Sequence, residues 1–265
     1  MAMGVLDRAV AVLELLTSAP DGLPLGAIAE GAGLPKSGAH RLCADLVRLG
    51  LVRQQAEGER YVLSMAMLSM AFQHLARTGV VDVAQPVLDE LAATTGELVR
   101  LGIVDGDRQV WVAKAQGARS GLIYDPQMGD VAQLSCMASG HAWLAFAEPD
   151  EALRLVAAQG LARPEEFGPN APRTIEDLLA ALRTARERGY AVVIEASAPG
   201  MSAIAAPVRH PVTGAVVGTI SVGGPVLRLP ETRLHAMAGD VLDAARLLSD
   251  LYAGSAYLRS IAVPA

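Results

Sequence analysis

Ten residues near the N-terminus, GLPKSGAHRL at positions 33–42, constrain the fold more than any other stretch of the chain. Gly33 is placed to end one helical segment, and Pro35 suits the first turn of the next, where its missing N–H would have no partner. Leucines then follow at helical spacing, at Leu42, Leu46 and Leu49. The stretch therefore predicts two helices joined by a short turn.

The outward face of the second predicted helix is polar and mostly cationic. It carries Lys36, Ser37, His40, Arg41, Ala44 and Arg48. Residues 35–53 hold four basic residues against the single acid Asp45, whereas the whole chain of 265 residues has a formal net charge of -6. An acidic protein does not coat nucleic acid by bulk electrostatics, because DNA affinity comes largely from cations set against phosphates. A small basic patch on an acidic body favours a site-specific binder.

The first 63 residues are predicted to form three helices and a β-hairpin. The first helix spans residues 5–18, with one apolar side formed by Leu6, Val10, Leu13 and Leu16. The segment TSAPDGLP breaks it, and a short helix over 25–31 precedes the Pro35 helix. Two strands, 51–55 and 60–63, follow around a polar tip in which Gly58 can supply a positive φ. This order is that of a winged helix-turn-helix domain over 1–63.

Residues 64–77, SMAMLSMAFQHLAR, predict a strong helix with Ser64 as its cap. The apolar residues cover too much of the circumference for a free surface helix, so we expect this helix to be sandwiched between two bodies. A hydrophobic-ligand face is the alternative. We favour packing between domains or protomers, because methionine side chains adapt to irregular contacts. The segment 64–79 is therefore assigned as a linker helix.

From residue 80 onward the pattern becomes that of an α+β domain, which we place at 80–254, followed by a tail at 255–265. A helix over 86–95 leads to a hairpin whose turn is Asp105-Gly106, and then to a strand over 121–125. After the small-residue run 134–146, the predicted elements are helices at 149–159 and 175–189, strands within 190–196, 202–210 and 214–224, and a closing helix at 230–252.

Cofactor and compartment predictions follow from what the chain contains. The cysteines, Cys43 and Cys136, fall in different parts of the chain, which provides neither a disulfide framework nor a Cys-rich zinc site, so no cofactor or metal is expected. They are expected to be packed or pocket-lining thiols. No apolar run approaches the roughly 18 residues that a membrane span needs, and the N-terminus lacks a signal-peptide layout. The expected location is the cytoplasm, with no membrane partner.

Two segments together resemble the IclR family of bacterial transcription regulators. The first, residues 23–52, is similar to that family's DNA-reading helices. The second is the pair LSCMASGHAWLAF at 134–146 and the strands within 186–229, similar to the loop and strands around its effector pocket. The resemblance implies a winged helix that binds operator DNA as a dimer, a linker helix and a C-terminal GAF-like effector domain. It also implies further assembly, often to a dimer of dimers.

Within this resemblance, the helix from Pro35 enters the major groove by its N-terminal end. Arg41 can bind a guanine or clamp a phosphate, His40 can donate to a base, and Lys36 and Ser37 suit phosphates. On the wing, Arg53 or Arg60 can reach the DNA backbone that flanks the groove. Glu57 and Glu59 at the tip of the wing argue against its deep insertion into the DNA. The alternative is a merely solvated helix face.

Gly38 departs from the family pattern, because the family often has a threonine or similar side chain at this position. Glycine costs ~1 kcal/mol of helix propensity relative to alanine. Two interpretations remain open, namely close backbone approach to DNA and the loss of one base contact.

The effector site is predicted around Ala138, Ser139 and Gly140. These small residues sit where a helix begins, so that backbone N–H groups and the Ser139 hydroxyl can bind an anion. The family's small-acid binders use this loop for a carboxylate. The alternative is a tight helix–sheet contact that needs small side chains.

Further pocket positions are implied by the resemblance alone. These are Met128 at the approach and Cys136, Val193, Ala203, Ser221 and Gly223 in the wall. Val193 stands where small oxoacid binders tend to have an acid, and Ala203 and Gly223 stand where they offer a thiol or hydroxyl. The pocket is therefore expected to be roomier and more apolar, and to suit an aromatic or medium-chain organic acid better than glyoxylate or pyruvate.

Enzymatic activity is not expected. Nucleophile and base types are present, but no G-x-S-x-G elbow, H-E-x-x-H, P-loop or G-x-G-x-x-G after a strand occurs. A sensor or enzyme domain that acts without binding DNA is the alternative, and a gel shift with the protein's own promoter region separates it from the regulator.

Overall fold

The computed structural model describes residues 4–55, 59–78, 80–126 and 128–251. The chain divides into two compact units, Met1–Leu75 and Ala76–Ala265. The division falls inside the helix that the sequence predicts as a linker. Each unit is considered by itself below.

The N-terminal unit contains the predicted helices and wing strands, together with one short strand that the sequence did not predict. The elements are α1 Val5–Thr17, β1 Leu23–Pro24, α2 Leu25–Gly31, α3 Lys36–Arg48, β2 Val52–Gln54 and β3 Arg60–Leu63. The extra strand β1 pairs with β3, and the sheet order is β1-β3-β2. Gly22 permits this pairing, because its φ is +77° and a Cβ there would lie 2.7 Å from the Tyr61 carbonyl oxygen.

The turn between α2 and α3 forms as predicted, with Gly33 at a φ of +61°. Its backbone is held by a hydrogen bond of 2.8 Å from the Leu34 N–H to the Ala29 carbonyl. Pro35 is the N-cap of α3 rather than its first helical residue, and the helix begins at Lys36. Pro35 therefore stands one position earlier than predicted.

The buried faces of α1 and α3 differ from the predicted ones. In α1, Val12 and Leu16 are buried, whereas the side chains of Leu6 and Val10 are 80% and 53% exposed. The buried residues of α3 are Ala39, Cys43 and Leu46, and Leu49 after its last turn is exposed. Large apolar side chains are thus left outside the core of this unit.

The helix α4, Met65–Thr78, continues across the division between the units. Its side chains Met65, Leu68, Met70 and Phe72 are exposed in the single chain, with Met65 and Phe72 at 75% and 62%. The expected sandwiching of this helix therefore stays a prediction about an assembly.

The C-terminal unit is built on a five-stranded antiparallel sheet within its described residues, in the order β5-β4-β8-β7-β6. The strands are β4 Leu98–Asp105, β5 Arg108–Gln116, β6 Ala191–Ile194, β7 Met201–Arg209 and β8 Val216–Pro225. Helices cover both faces, which makes the unit α+β as predicted. One face packs on α5 Val80–Thr95, α9 Glu231–Ala236 and α10 Ala238–Asp250, and the other on α6 Ala138–Leu144, α7 Pro149–Gln159 and α8 Ile175–Arg188.

Two elements of this unit differ from the prediction. The predicted strand at 121–125 is irregular, because its groups bond to side chains rather than to a neighbouring strand, as with the Tyr124 carbonyl and the Gln116 amide at 2.9 Å. The predicted closing helix is interrupted at Met237, whose φ and ψ are -88° and 3°. No helix in the described ranges has the length and hydropathy that crossing a membrane requires.

Candidate nucleic-acid interface and effector cavity

The polar face of α3 is free of the unit's core along its whole length. The predicted DNA-contacting residues of this helix are all exposed, namely Lys36, Ser37, Gly38, His40 and Arg41. Burial of Ala39, Cys43 and Leu46 on the opposite side fixes which way this face points. Among the described residues, no ion pair engages Lys36 or Arg41, whereas Arg48 pairs with Asp45 at 3.2 Å. The start of α3 therefore presents cations that the protein itself does not neutralise.

Gly38 has no structural reason within its own unit to be glycine. Its φ is not positive, and a Cβ at this position would meet only Pro35 Cδ, at 3.8 Å. It lies on the wall of a shallow groove of about 270 Å³, beside Ser37 and Arg41. The cost in helix propensity is thus not balanced by any internal contact among the described residues.

The wing residues have different roles in the structure. Arg53 is exposed on β2. Arg60 donates from Nη1 to the Gly22 carbonyl at 2.8 Å, so its guanidinium helps to hold β1 against β3. Gly58 and Glu57 lie outside the described residues, and it is Glu59 that has a positive φ, at 53°. Arg60 therefore has a structural contact that the sequence did not predict.

The second site is a small, partly enclosed cavity between the sheet and the start of α6. Its volume is about 20 Å³, which is space for little more than one water molecule. It is lined by Arg100, Trp111, Tyr124, Met137, Ala138, Ser139, Ser197, Met201, Ser202, Ala203, Ser221 and Gly223. Five of the predicted effector residues meet here: Ala138, Ser139, Ala203, Ser221 and Gly223.

The sheet register explains this convergence. Ala203 pairs with Gly223 across β7 and β8, and Ser221 pairs with Arg100 across β8 and β4. Because residues two apart on a strand share a face, Ser221 and Gly223 point to the same side of the sheet. The small side chains of this patch leave the hollow that α6 closes.

The remaining predicted effector residues do not line the cavity. Gly140 is needed for close packing, because a Cβ there would lie 2.3 Å from the Leu134 carbonyl oxygen. Cys136 is buried in the core under α6, Val193 is buried beside a separate depression with Asn170, and Met128 is half-buried elsewhere. For Gly140 the close contact that the sequence analysis gave as an alternative is the one observed, although it is made with a loop rather than with the sheet.

Sequence analysis missed Arg100, Trp111 and Tyr124 as cavity residues. The guanidinium carbon of Arg100 lies 3.7 Å from the centroid of the Trp111 ring and 5.9 Å from that of Tyr124. Burial lowers the pKa of Arg100, and the nearby Tyr124 and Asp130 partly oppose that shift. A single basic residue within the apolar run LVRLGIV was the available signal.

Two serines in the cavity differ in their hydrogen bonding. Ser202 is 1% exposed and donates from its hydroxyl to the Leu229 carbonyl at 2.5 Å. Ser139 is equally buried, but its hydroxyl has no hydrogen-bond partner among the described residues. Buried polar groups are almost always paired, so Ser139 is a donor placed for something else.

Cys136 and His141 do not form a catalytic pair. Burial raises the pKa of the Cys136 thiol to about 12, so the thiolate that would act as a nucleophile is not formed near neutral pH. The His141 ring lies 2.9 Å from the Ser135 carbonyl oxygen, and burial lowers the pKa of this histidine. The described residues also contain no cluster of three His, Cys, Asp or Glu side chains suited to a metal ion.

Comparison with protein families matches both units. A family described as the IclR helix-turn-helix domain matches residues 5–56, and one described as the bacterial transcriptional regulator IclR C-terminal matches residues 72–250. The HTH-type transcriptional regulator BhcR of Paracoccus denitrificans (strain Pd 1222) is 32% identical over 245 residues, which cover 92% of this chain and 85% of BhcR. The HTH-type transcriptional repressor AllR of Escherichia coli (strain K12) is 27% identical, over 92% of this chain and 88% of AllR.

Solved structures share the fold. An IclR transcriptional regulator from Alicyclobacillus acidocaldarius has a TM-score of 0.80 at 23% identity, over 94% of this chain and 99% of that one. An IclR homologue from Microbacterium hydrocarbonoxydans, complexed with 4-hydroxybenzoate, has a TM-score of 0.78 at 20% identity, over 95% of this chain and 100% of that one. Since the two family matches together span most of the sequence in the expected order, the protein belongs to the IclR family of bacterial transcription regulators.

Proposed function

We propose that this regulator reads operator DNA with α3 as a homodimer, and that a small organic acid in the cavity beside α6 alters its affinity for the operator. The observation that carries the proposal is the pairing of an exposed cationic helix face with a partly enclosed cavity, whose lining contains a guanidinium and a buried hydroxyl that form no ion pair and no hydrogen bond, respectively, with the described residues. The regulator acts on double-stranded DNA in the cytoplasm, and no catalytic activity is assigned to it.

Support for DNA reading comes from the start of α3. Lys36 and Arg41 are exposed and form no ion pair among the described residues, so both are available to phosphates or base edges. A guanidinium can contact guanine in the bidentate manner that discriminates bases in the major groove. His40 lies between them in sequence and is exposed as well. On the wing, Arg53 is free to reach the flanking backbone, whereas Arg60 already holds Gly22.

Support for a dimer comes from apolar side chains that the single chain leaves uncovered. Leu6 and Val10 on α1 are exposed, and so are Met65 and Phe72 on α4. Apolar residues at this density on two helices are typical of a surface that another chain covers. A second copy would also place two α3 helices on one duplex, and a dimer of dimers extends the same arrangement.

Support for an organic acid comes from the cavity lining. The apolar side chains of Met137, Met201 and Ala203 surround the Arg100 guanidinium, a combination that suits an apolar body carrying a carboxylate. The homologue from Microbacterium hydrocarbonoxydans was crystallised with 4-hydroxybenzoate, which is such a compound. An aromatic or medium-chain acid is therefore the proposed effector class. Its binding requires the cavity to enlarge beyond the present 20 Å³.

The α4 helix is the proposed transmitter. It is continuous across the boundary between the two units, so it is the covalent route from the cavity-bearing unit to α3. A ligand changes DNA affinity only through a difference in its own affinity for two arrangements of the regulator. The unbranched methionines of α4 can repack between such arrangements at low cost.

Selection of duplexes from a random pool by the full-length protein tests the proposal. We expect the selected sites to be pseudo-palindromic, with half-sites about one helical turn apart or a multiple of it. Footprinting of the selected site should show both half-sites protected. If no sequence is enriched, the chain is a sensor that acts without DNA. A monomeric footprint would contradict the dimer.

A further inference from the structure

Arg100 is a half-buried cation in the lining of the cavity beside α6. It lies on β4 among buried apolar neighbours, such as Val99 and Leu101, and opposite Ser221 on β8. Its guanidinium stacks on the Trp111 ring at 3.7 Å, and Tyr124 lies on the same side of the sheet at 5.9 Å. The Trp111 ring covers the guanidinium, and Tyr124 and Asp130 are nearby groups that raise the pKa of Arg100.

The neighbouring cations of this region are neutralised, whereas Arg100 is not. Lys114, which pairs with Arg100 across β4 and β5, forms an ion pair with Asp125. The buried carboxylate of Glu97 accepts two hydrogen bonds from Arg228, at 2.7 and 2.8 Å. Among the described residues, no carboxylate lies within ion-pair distance of Arg100. Tyr124 and Asp130 raise the pKa of Arg100 against the effect of burial, but no carboxylate is in direct contact with it among the described residues. A partly desolvated cation in this setting favours a ligand anion that can bind it directly.

Ser139 supplies a second, independent indication. Its hydroxyl lines the same cavity, is almost fully buried and has no partner among the described residues. We infer that Arg100 is the residue that selects a carboxylate in this cavity, with the Ser139 hydroxyl donating to the same ligand. The inference rests on the proposed function and names the charge-selecting group of its effector site.

The geometry of the cavity lining indicates which chemical groups its ligand carries. The guanidinium of Arg100 lies over the Trp111 ring, and arginine can bind a carboxylate through two parallel hydrogen bonds from its N–H edge. The rest of the lining is small or apolar, with Ala138, Ala203 and Gly223 leaving room for a hydrocarbon or aromatic body. A neutral amide of the same shape would leave the guanidinium unpaired. The site should therefore discriminate an acid from its own amide.

The experiment measures that discrimination on the full-length protein by calorimetry and by tryptophan fluorescence. The probes are benzoate, 4-hydroxybenzoate and octanoate, each compared with its amide. We expect at least one acid to bind the wild type about 10- to 150-fold more tightly than its amide, which is the range for a hydrogen bond to a charged group. Arg100→Met should lose that difference, with a similar drop in affinity for the acid. Arg100→Lys, which keeps the charge without the fork, should retain part of it.

Matched controls separate charge selection from a general loss of structure. Ser139→Ala should weaken acid binding by a smaller factor and keep a preference for acid over amide. The circular dichroism of Arg100→Met should match that of the wild type, and Arg100→Gln replaces it if the methionine variant does not fold. The inference is overturned if Arg100→Met or Arg100→Gln still prefers the acid, or if no acid binds the wild type more tightly than its amide. Failure of the proposed function would have a different readout, because the protein would then select no duplex from the random pool.

Discussion

The α3 face and the cavity beside α6 both contain cations that form no ion pair with the residues the structure describes, but the two sites differ in their exposure to water. Lys36 and Arg41 are exposed to water, where an unpaired charge costs little and where salt screens any partner. The guanidinium of Arg100 is partly removed from water, and this desolvation lowers its pKa. The exposed cations can therefore exchange among many phosphates, whereas the half-buried one favours a specific anion. Exposure to water, rather than the presence of a charge, distinguishes the role of the α3 cations from that of Arg100.

The largest expected effect concerns the exposed cationic face of α3. Arg41→Ala should abolish site-specific DNA binding, because one lost bidentate contact is worth ~1–3 kcal/mol at each half-site. The fold should persist, since the side chain is exposed and the buried face of α3 is untouched. Gel-shift titration of the selected operator measures the effect.

Arg48→Ala is the matched control for this prediction. It removes a cation from the same helix, but one that already pairs with Asp45 at 3.2 Å. Its effect on operator affinity should be much smaller. Equal losses in the two variants would mean that α3 contributes only bulk charge, and unchanged affinity in Arg41→Ala would remove this helix as the reader.

The next effect concerns the cavity beside α6 and its coupling to DNA binding by α3. Ser139→Phe fills the cavity, so it should leave operator binding intact and abolish the response to an organic acid. Coupling free energies of this kind are typically ~1–3 kcal/mol, which gives a wild-type response of roughly 5- to 150-fold. Operator affinity is titrated against 4-hydroxybenzoate and octanoate for both proteins. A response of normal size in the variant would place the effector elsewhere.

Gly223→Ala tests the same cavity with a smaller increase in side-chain volume. A phenylalanine in so small a cavity overpacks it and costs ~1–3 kcal/mol. A Cβ at Gly223 makes ordinary contacts instead, at 3.7 Å from Ala203 Cβ and 4.0 Å from Tyr124 Cε1. We expect this variant to fold as the wild type does and to bind the acid more weakly. Unaltered acid binding would show that the ligand does not reach this part of the wall.

The two regions also differ in how far the sequence predicted them. The α3 face was found because cations at helical spacing stand out within an acidic chain. The cavity was found only in part, because Ala138 and Ser139 belong to a recognisable loop while Arg100 is one residue in an apolar strand. Its partners Trp111 and Tyr124 reach it through strand register and an irregular segment, which no local pattern specifies. The buried face of α1 was predicted only in part, because Leu13 and Leu16 pack in the core whereas Leu6 and Val10 are exposed.

A smaller effect distinguishes Ser139 from Ser202, two of the four serines that line the cavity. Ser202→Ala should destabilise the protein by ~1–3 kcal/mol, because the Leu229 carbonyl loses its hydrogen bond. Ser139→Ala should be neutral or stabilising, because it removes a buried hydroxyl that has no partner among the described residues. Denaturant unfolding without ligand compares the two variants. A comparable loss in both would mean that the Ser139 hydroxyl is satisfied within the protein and is not held for a ligand.

The smallest effect concerns Gly38 and decides between the two interpretations of this residue. Gly38→Ala should stabilise the protein by ~1 kcal/mol, because alanine is the better helix former and its Cβ would meet only Pro35 Cδ at 3.8 Å. If the glycine allows the backbone to approach DNA, the same change should weaken operator binding, and Gly38→Thr should weaken it further. If the glycine marks a lost base contact, alanine should leave affinity unchanged and threonine should raise it for some operators. We expect the first outcome, since a helix that gives up stability with no internal contact in return is best explained by a contact it makes with something else. Unfolding and gel-shift titrations of the two variants together measure both quantities.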